Sequence, residues 1–268
     1  MISLQQFVFY YPAFMGLLWI SGAIVYFLKH EFKREGVDLP PPLPSYPPVS
    51  IIVPCYNEFD TIGDTINSLS RQNYPCFDVI AVNDGSTDNT HMQLNAFEKK
   101  YSWLRVIHLK ENSGKASCLN VGFLASNSEF IVCVDADTLL DRNAIGWMMG
   151  HFLKWPKVGA VTGNPRIRNS TTSLLARIQV GEFSAIVGMI KRTQRIFGKV
   201  FSVSGVISGF RKKAVFQAGM WDSDTVTEDI DMTWKLQKNF WDVRFEPRAL
   251  CHTLMPETIS GLWKQRVR

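Results

Sequence analysis

The sequence predicts an α/β domain built on a mostly parallel sheet with flanking helices, preceded by one transmembrane helix. Three observations support this reading. From residue 49 onward, apolar β-branched runs alternate with helical patterns; near the start, 22 residues pass without a formal charge; and a proline-rich stretch lies between the two.

Taken in order, residues 1–6 read as a short tail and 7–28 as the membrane helix. FVFYYPAFMGLLWISGAIVYFL is long enough to cross a bilayer core, and its aromatic residues gather toward both ends as interface belts do. No basic region precedes it and no small-residue cleavage site follows, so it resembles an anchor more than a signal peptide. Lys29, Lys33 and Arg34 come next, which by the positive-inside tendency puts the following chain in the cytoplasm. Residues 29–48 form a basic, proline-rich linker, whose segment LPPPLPSYPP (39–48) reads as an extended polyproline spacer.

VSIIVPCY (49–56) is a continuous apolar strand, TIGDTINSLSRQ (61–72) a helix with Asp60 available as its cap, and FDVIAVNDG (77–85) a strand ending in turn chemistry. LRVIHL (104–109) reads as a strand, KASCLNVGFLAS (115–126) as a helix and EFIVCVDAD (129–137) as a strand with a nearly all-apolar core. Such runs imply a parallel sheet buried on both faces with right-handed crossovers, and ligands then sit beyond the carboxyl ends of the strands. Later, VGAVTG (158–163) suggests one more strand and residues 173–198 a long helical segment. The domain divides by this reading into a ligand-binding half, 49–140, and a second half, 141–268.

The chain of 268 residues is 46% hydrophobic, enough for a full core, and its net charge of +5 suits a phosphate-bearing partner or an anionic membrane. Nucleic acid is not indicated, since no zinc finger, RNA-recognition signature or arginine-rich arm occurs. Five scattered cysteines without a C-x-x-C pair suggest neither a disulfide framework nor structural zinc.

The polar residues just after the strands carry the chemistry. In VDADT (134–138), Asp135 and Asp137 stand two apart, so an extended chain would aim both the same way. Two such carboxylates can hold Mg²⁺ or Mn²⁺, with phosphate and water completing the shell. Asp84, in VNDGSTDNT, can bind a base or ribose edge. Near the end, VTEDIDMTW (226–234) brings three carboxylates together. Thr225 with Glu228 fits a capping box, Asp231 with Lys235 an i,i+4 pair, and Asp229 is left without a structural reason. An apolar strand before D-x-D-x-T also occurs in haloacid-dehalogenase phosphatases, but those carry it on their opening strand. A Rossmann oxidoreductase would need G-x-G-x-x-G after the first strand, which is missing.

VPCYNE, VNDGSTD, NSGKA, VDADT, TED and KQRVR, in this order, resemble the motifs of family 2 glycosyltransferases. VTGNPRIR, IQVGEF, IKRTQRI, EDIDMTWKLQ, EPRALC and LMPETISGLWKQR are similar to the processive poly-β-1,6-N-acetylglucosamine synthases that make bacterial biofilm exopolysaccharide. The resemblance runs from Val49 onward and implies a GT-A fold. It further implies that Pro54, Tyr56, Glu58, Asp84 and Lys115 contact the nucleotide sugar, and that Asp135 and Asp137 hold the diphosphate and its metal. Asp229 would be the general base. Glu228, Gln265, Arg266 and Arg268 would serve acceptor and diphosphate, the last three lying in a Q-x-x-R-W motif whose tryptophan would be residue 269, so the chain reads as truncated there.

On this reading the chain transfers N-acetylglucosamine from UDP-GlcNAc to a growing β-1,6-linked polysaccharide with inversion, at the cytoplasmic face of a bacterial inner membrane. Membrane lipid and a small membrane subunit would be further partners. Synthases using another UDP-sugar, of hyaluronan, chitin or cellulose type, and a non-catalytic sugar-nucleotide sensor are the alternatives. The helix N-terminus is expected to lower the Asp229 pKa. Trp221, Trp234, Trp241 and Trp263 offer either sugar-stacking faces or core packing, and GLWKQRVR either a membrane-surface helix or a solvated terminus.

Overall fold

The computed structural model describes residues 4–32 and 39–267. Lys33 and Arg34, used for the orientation of the apolar helix, and Arg268 of the terminal motif lie outside the described residues.

Strand β1 (Val49–Cys55) is the hub of the sheet, pairing in parallel with β2 (Phe77–Asn83) on one side and β4 (Phe130–Val134) on the other. Side chains alternate across a strand, so Ile51 and Val53 enter one apolar layer while Ile52 enters the other. In β4, Phe130, Val132 and Val134 face the first layer, Ile131 and Cys133 the second. Both faces are therefore apolar, and each fully buried Ile or Val contributes about 1.5–3 kcal/mol. Pro54 is tolerated in this central strand because the ladder to β4 ends at Ile52 opposite Cys133, two residues earlier.

The full sheet has eight strands in the order β3-β2-β1-β4-β7-β6-β8-β5, with β3 at Leu104–His108, β5 at Leu139–Leu140, β6 at Val158–Ile167, β7 at Ile207–Arg211 and β8 at Asp242–Thr253. β1, β2, β3 and β4 are mutually parallel, as are β6 and β8, but β7 runs antiparallel to β4 and β6, and β5 antiparallel to β8. The result is a mixed sheet. Neither β5, only two residues long, nor β7, with the sequence ISGFR, is a continuous apolar run, so the sequence reading includes neither strand and neither reversal.

Helices α2 (Ile62–Leu69), α3 (Thr90–Lys100) and α5 (Ala144–Lys154) cover the first layer, and α4 (Lys115–Ala125), α8 (Lys212–Gln217) and α9 (Glu228–Lys238) the second. Gly122 of α4 lies so close to β1 that an added Cβ would stand 2.5 Å from Ile52 Cγ2. The predicted 173–198 helix is present as α6 (Leu174–Phe183), a π-helical segment (Ser184–Ile190) and α7 (Lys191–Ile196). Asp60 does not cap α2: Thr61 occupies the cap position, and its hydroxyl turns to Glu58 Oε2 at 2.6 Å.

The apolar helix α1 (Leu4–Tyr26) continues through a π-helical turn to Glu31, and this stretch is long and apolar enough to cross a membrane. It meets the body along α7. A Cβ at Gly22 would collide with Thr193, whose hydroxyl donates to Trp19 O at 2.6 Å. Leu4, Phe9 and Leu17 on the rest of its surface are exposed. The proline-rich stretch has no regular structure, yet it is strapped to the body: Pro40 lies against Gly146 of α5, Leu43 packs on the core, and Tyr74 donates to Pro47 O at 2.6 Å.

Candidate active site

The parallel strands β1, β2 and β4 end along one cleft of about 640 Å³. Its wall includes Pro54 near the end of β1, Tyr56 and Glu58 after it, Asp84 after β2, Lys115 at the start of α4, and Asp135 and Asp137 after β4. The seven residues expected near a nucleotide sugar are thus gathered by the fold, as the strand-end rule requires.

Each is positioned by local chemistry. Asn57 adopts a left-handed φ of 55°, and its side-chain oxygen accepts from Thr87 N at 2.8 Å, tying the β1 exit to the β2 exit. Gly85 follows Asp84 with φ 63°, and a Cβ there would stand 2.7 Å from the Glu111 carbonyl carbon, so only glycine fits this turn. The buried Asp84 carboxylate accepts from Ser113 N at 2.7 Å and Gly114 N at 2.9 Å. Its first task is therefore to clamp the NSGK loop that presents Lys115, a structural role that its reading as a base or ribose contact did not include.

Asp135 and Asp137 are not the last residues of an extended strand. β4 ends at Val134, and Thr138 N donates to Asp135 O at 3.1 Å, closing a turn that carries both carboxylates into the cleft. Burial, and then the Asp135 charge, push the Asp137 carboxyl above its usual range. Burial likewise raises Glu58, with Asp137 and Asp135 adding to it.

Lys115 joins the cleft to α9. Its amine lies 2.6 Å from Asp135 Oδ1 and 3.2 Å from Glu228 Oε1, and donates to Gly205 O at 3.1 Å. Burial alone would push the amine down, but the two carboxylates outweigh it and hold it above its ordinary value. The capping box is not formed: Thr225 donates to Asp222 O, and α9 starts at Glu228 after Thr227, which makes no side-chain cap. Glu228 is thereby released toward Lys115. Asp231 does pair with Lys235, at 3.0 Å.

Asp229 lies beside this bridge. Oδ1 accepts from Ile230 N at 2.9 Å, and Oδ2 faces Gly205, where a Cβ would come within 3.5 Å. Its pKa is raised, not lowered as the helix dipole suggested: burial and the neighbouring Glu228 charge outweigh the backbone donor and Lys115. The loop before β7 is held against it by Val203 N donating to Thr233 Oγ1 at 2.9 Å and by Lys191, whose amine donates to Ser202 O at 2.8 Å. Burial pushes the Lys191 amine down to about 8, against the pull of Asp229. Periodicity could not reveal Lys191, because a lysine inside IKRTQRI looks like a solvated helix residue until tertiary packing buries it.

The terminal motif is placed elsewhere. Gln265 and Arg266 are exposed on α10 (Ile259–Arg266), and Arg266 pairs with Glu182 of α6 at 2.6 Å, so the structure does not bring them to the cleft wall. Of the four tryptophans considered as sugar platforms, Trp221 is a core residue packed on Phe123 and Phe210, and Trp241 packs on Gly159. Trp234 and Trp263 are exposed.

Among the described residues, no group of three or more His, Cys, Asp or Glu side chains forms a metal cage. Asp135 and Asp137 nonetheless fit a hard divalent ion, because they offer oxygen donors whose charges now repel each other, and such an ion takes the rest of its shell from phosphate and water.

The poly-beta-1,6-N-acetyl-D-glucosamine synthase of Staphylococcus epidermidis is 43% identical to this chain over 264 residues, covering 98% of it. The synthase of the same name from Staphylococcus aureus is 40% identical over 265 residues. The chain spans 64% of the length of both relatives. Among solved structures, the mannosyltransferase PcManGT from Pyrobaculum calidifontis, in complex with GDP-Man and Mn²⁺, matches 96% of this chain and 71% of its own at a TM-score of 0.70 and 22% identity. Staphylococcus aureus TarS 1–349 in complex with UDP-GlcNAc matches 79% of this chain and 59% of its own at 0.60 and 20%. These likenesses identify the fold as GT-A-like. The model described as Glycosyl transferase family 2 matches residues 50–217, from β1 through the cleft to the end of α8. With the strand-end motifs on one cleft and the family match running through them, the chain belongs to glycosyl transferase family 2.

Proposed function

We propose that this chain carries the catalytic domain of a membrane-anchored, inverting glycosyltransferase that transfers N-acetylglucosamine from UDP-GlcNAc to a β-1,6-linked polysaccharide. The observation that carries the reading is the Lys115 bridge. One amine holds the D-x-D turn after β4 to the acidic start of α9, so the carboxylates of the cleft and those of the pocket beside it, Glu228 and Asp229, meet at Lys115. The names of the Staphylococcus relatives support the sugar and the linkage, and TarS supports a UDP-linked donor. The apolar helix from Leu4 to Glu31 supports an anchor by its length and composition.

In such a transfer the acceptor hydroxyl attacks the anomeric carbon opposite the departing UDP. Pro54 and Tyr56 would flank the uracil, while Asp84 keeps the NSGK loop in place for Lys115 to meet the diphosphate. Asp135 and Asp137 would hold Mg²⁺ or Mn²⁺, which when bound supplies positive charge to the departing diphosphate. Asp229 would take the proton of the acceptor hydroxyl. Its raised pKa suits that task, since a more basic carboxylate accepts a proton more readily. Glu228, held by Lys115, would orient the acceptor beside it.

Isothermal titration of the solubilised chain with UDP-GlcNAc, UDP-glucose and UDP-glucuronate, each with Mg²⁺ and with chelator, tests the donor. The expected result is metal-dependent preference for UDP-GlcNAc. Equal binding of all three, or binding indifferent to chelator, overturns the donor assignment or the metal role respectively.

A further inference from the structure

A second concavity, of about 280 Å³, lies where the π-helical end of α1 meets α5 and β8. It shares no lining residue with the acidic cleft. Its wall brings together Lys154, Arg195, Arg244 and Arg248 with only two carboxylates, Glu31 and Glu246. Both carboxylates are engaged. Glu31 is held by Arg192 at 3.0 Å, and Glu246 accepts from Arg248 N at 3.0 Å and pairs with the His151 ring at 2.8 Å. Among the described residues, neither Lys154 nor Arg195 has a carboxylate within ion-pair distance.

The cations are ordered on aromatic faces. The Arg244 guanidinium carbon stands 3.6 Å from the Trp155 ring centre, Lys154 Nζ 4.7 Å from the same ring, and Arg248 lies 4.9 Å over Trp147. Stacking leaves the edges of a guanidinium open for in-plane acceptors. Two buried nitrogens of its lining residues, Arg244 Nε and His151 Nδ1, have no hydrogen-bond partner among the described residues. Burial and the nearby Arg195 charge hold the Arg244 pKa below its usual value, although Asp242, 3.6 Å from one guanidinium nitrogen, pulls the other way.

We propose that this cavity binds the phosphate group of an anionic ligand, with Arg195, Arg244 and Lys154 as the recognising charges and Trp155 as their platform. Planar guanidinium groups pair with phosphate oxygens bidentately, and the site stands at the end of an apolar helix, the level at which phospholipid headgroups lie when such a helix crosses a bilayer. A lipid headgroup and a soluble phosphate offer the same chemistry, so the experiment must separate them.

The full chain, in zwitterionic detergent with chelator to silence metal-dependent binding in the acidic cleft, is melted against inorganic phosphate, dioctanoyl phosphatidic acid and dioctanoyl phosphatidylcholine. The expected result is a saturable rise in melting temperature with phosphatidic acid and with phosphate. The double variant Lys154→Gln/Arg195→Gln should weaken the apparent affinity by roughly tenfold or more, as loss of charge-assisted hydrogen bonds implies. Arg244→Gln should do the same, while Lys154, exposed at the surface, makes the double variant the safer one for folding. Saturation at far lower concentration with phosphatidic acid than with phosphate supports the headgroup, and equal response supports a soluble phosphate. No saturable shift with either, an equal shift with phosphatidylcholine, or an unchanged response in the folded double variant overturns the site.

Discussion

The acidic cleft beyond β1, β2 and β4 and the cationic cavity at the end of α1 carry opposite surpluses of charge. In the cleft and the pocket beside it, Glu58, Asp137 and Asp229 are pushed up because burial and like charges disfavour ionisation, and Lys115 answers only Asp135 and Glu228 directly. In the cavity, Arg244 is pushed down for the mirror-image reason. Neither arrangement is what folding alone would choose, since buried like charges cost stability unless something of opposite sign arrives. The difference teaches what each site lacks: the cleft wants a cation and proton acceptance, the cavity an anion.

The largest effect that can break this comparison is Asp229→Asn. If the base role holds, sugar transfer falls by roughly 10²–10⁴-fold while UDP-GlcNAc affinity, measured by calorimetry, stays as in wild type. Equal loss of binding and transfer would make Asp229 a binding residue and leave the cleft without a base.

Asp137→Asn sharpens the charge argument by separating stability from binding. It should weaken metal-dependent nucleotide binding by about tenfold, yet raise the stability of the ligand-free chain by about 1 kcal/mol. The sign follows from the direction of the shift. A carboxyl raised in the folded state contributes stability that is complete below the ordinary carboxylate range and is lost as pH climbs through the raised value. Denaturation across acid to neutral pH should therefore show a shallower decline in the variant, and a variant less stable at neutral pH would count against the excess of negative charge.

Lys191→Met gives the smallest expected effect. The buried amine, lowered to about 8, donates to Ser202 O and, among the described residues, forms no ion pair with a carboxylate. Between about 8 and the ordinary lysine range, the unfolded chain holds a proton that the folded chain has released, so wild-type stability rises with pH there. The variant should lose that rise, seen as a flat melting temperature over the same interval. A rise that persists would assign it to another group.

Much of the fold was legible. β1, β2, β3 and β4, with α2 and α4 between them, follow the apolar runs to within a few residues, because a strand buried on both faces must be written almost entirely in apolar residues. The strand-end polar residues were legible for the same reason: Asp84, Lys115, Asp135 and Asp137 interrupt those runs where an α/β sheet opens its cleft. Helix caps were less legible. Asp60 and Thr225 had the right chemistry at the right spacing, but Thr61 and Thr227 took the cap positions, since a shift of one or two residues in the entering chain reassigns a cap.

By itself the sequence determined the α/β architecture, the apolar helix and the order of the chemical motifs, because these depend on local periodicity and residue type. Tertiary structure alone decided the rest: that β7 and β5 run against their neighbours, that Glu228 turns to Lys115 instead of capping its helix, that burial reverses the expected shift of Asp229, and that Arg195, Arg244 and Lys154 meet beside α1. Strand direction, desolvation and the convergence of like charges all depend on residues far apart in the chain, and no window of sequence contains them.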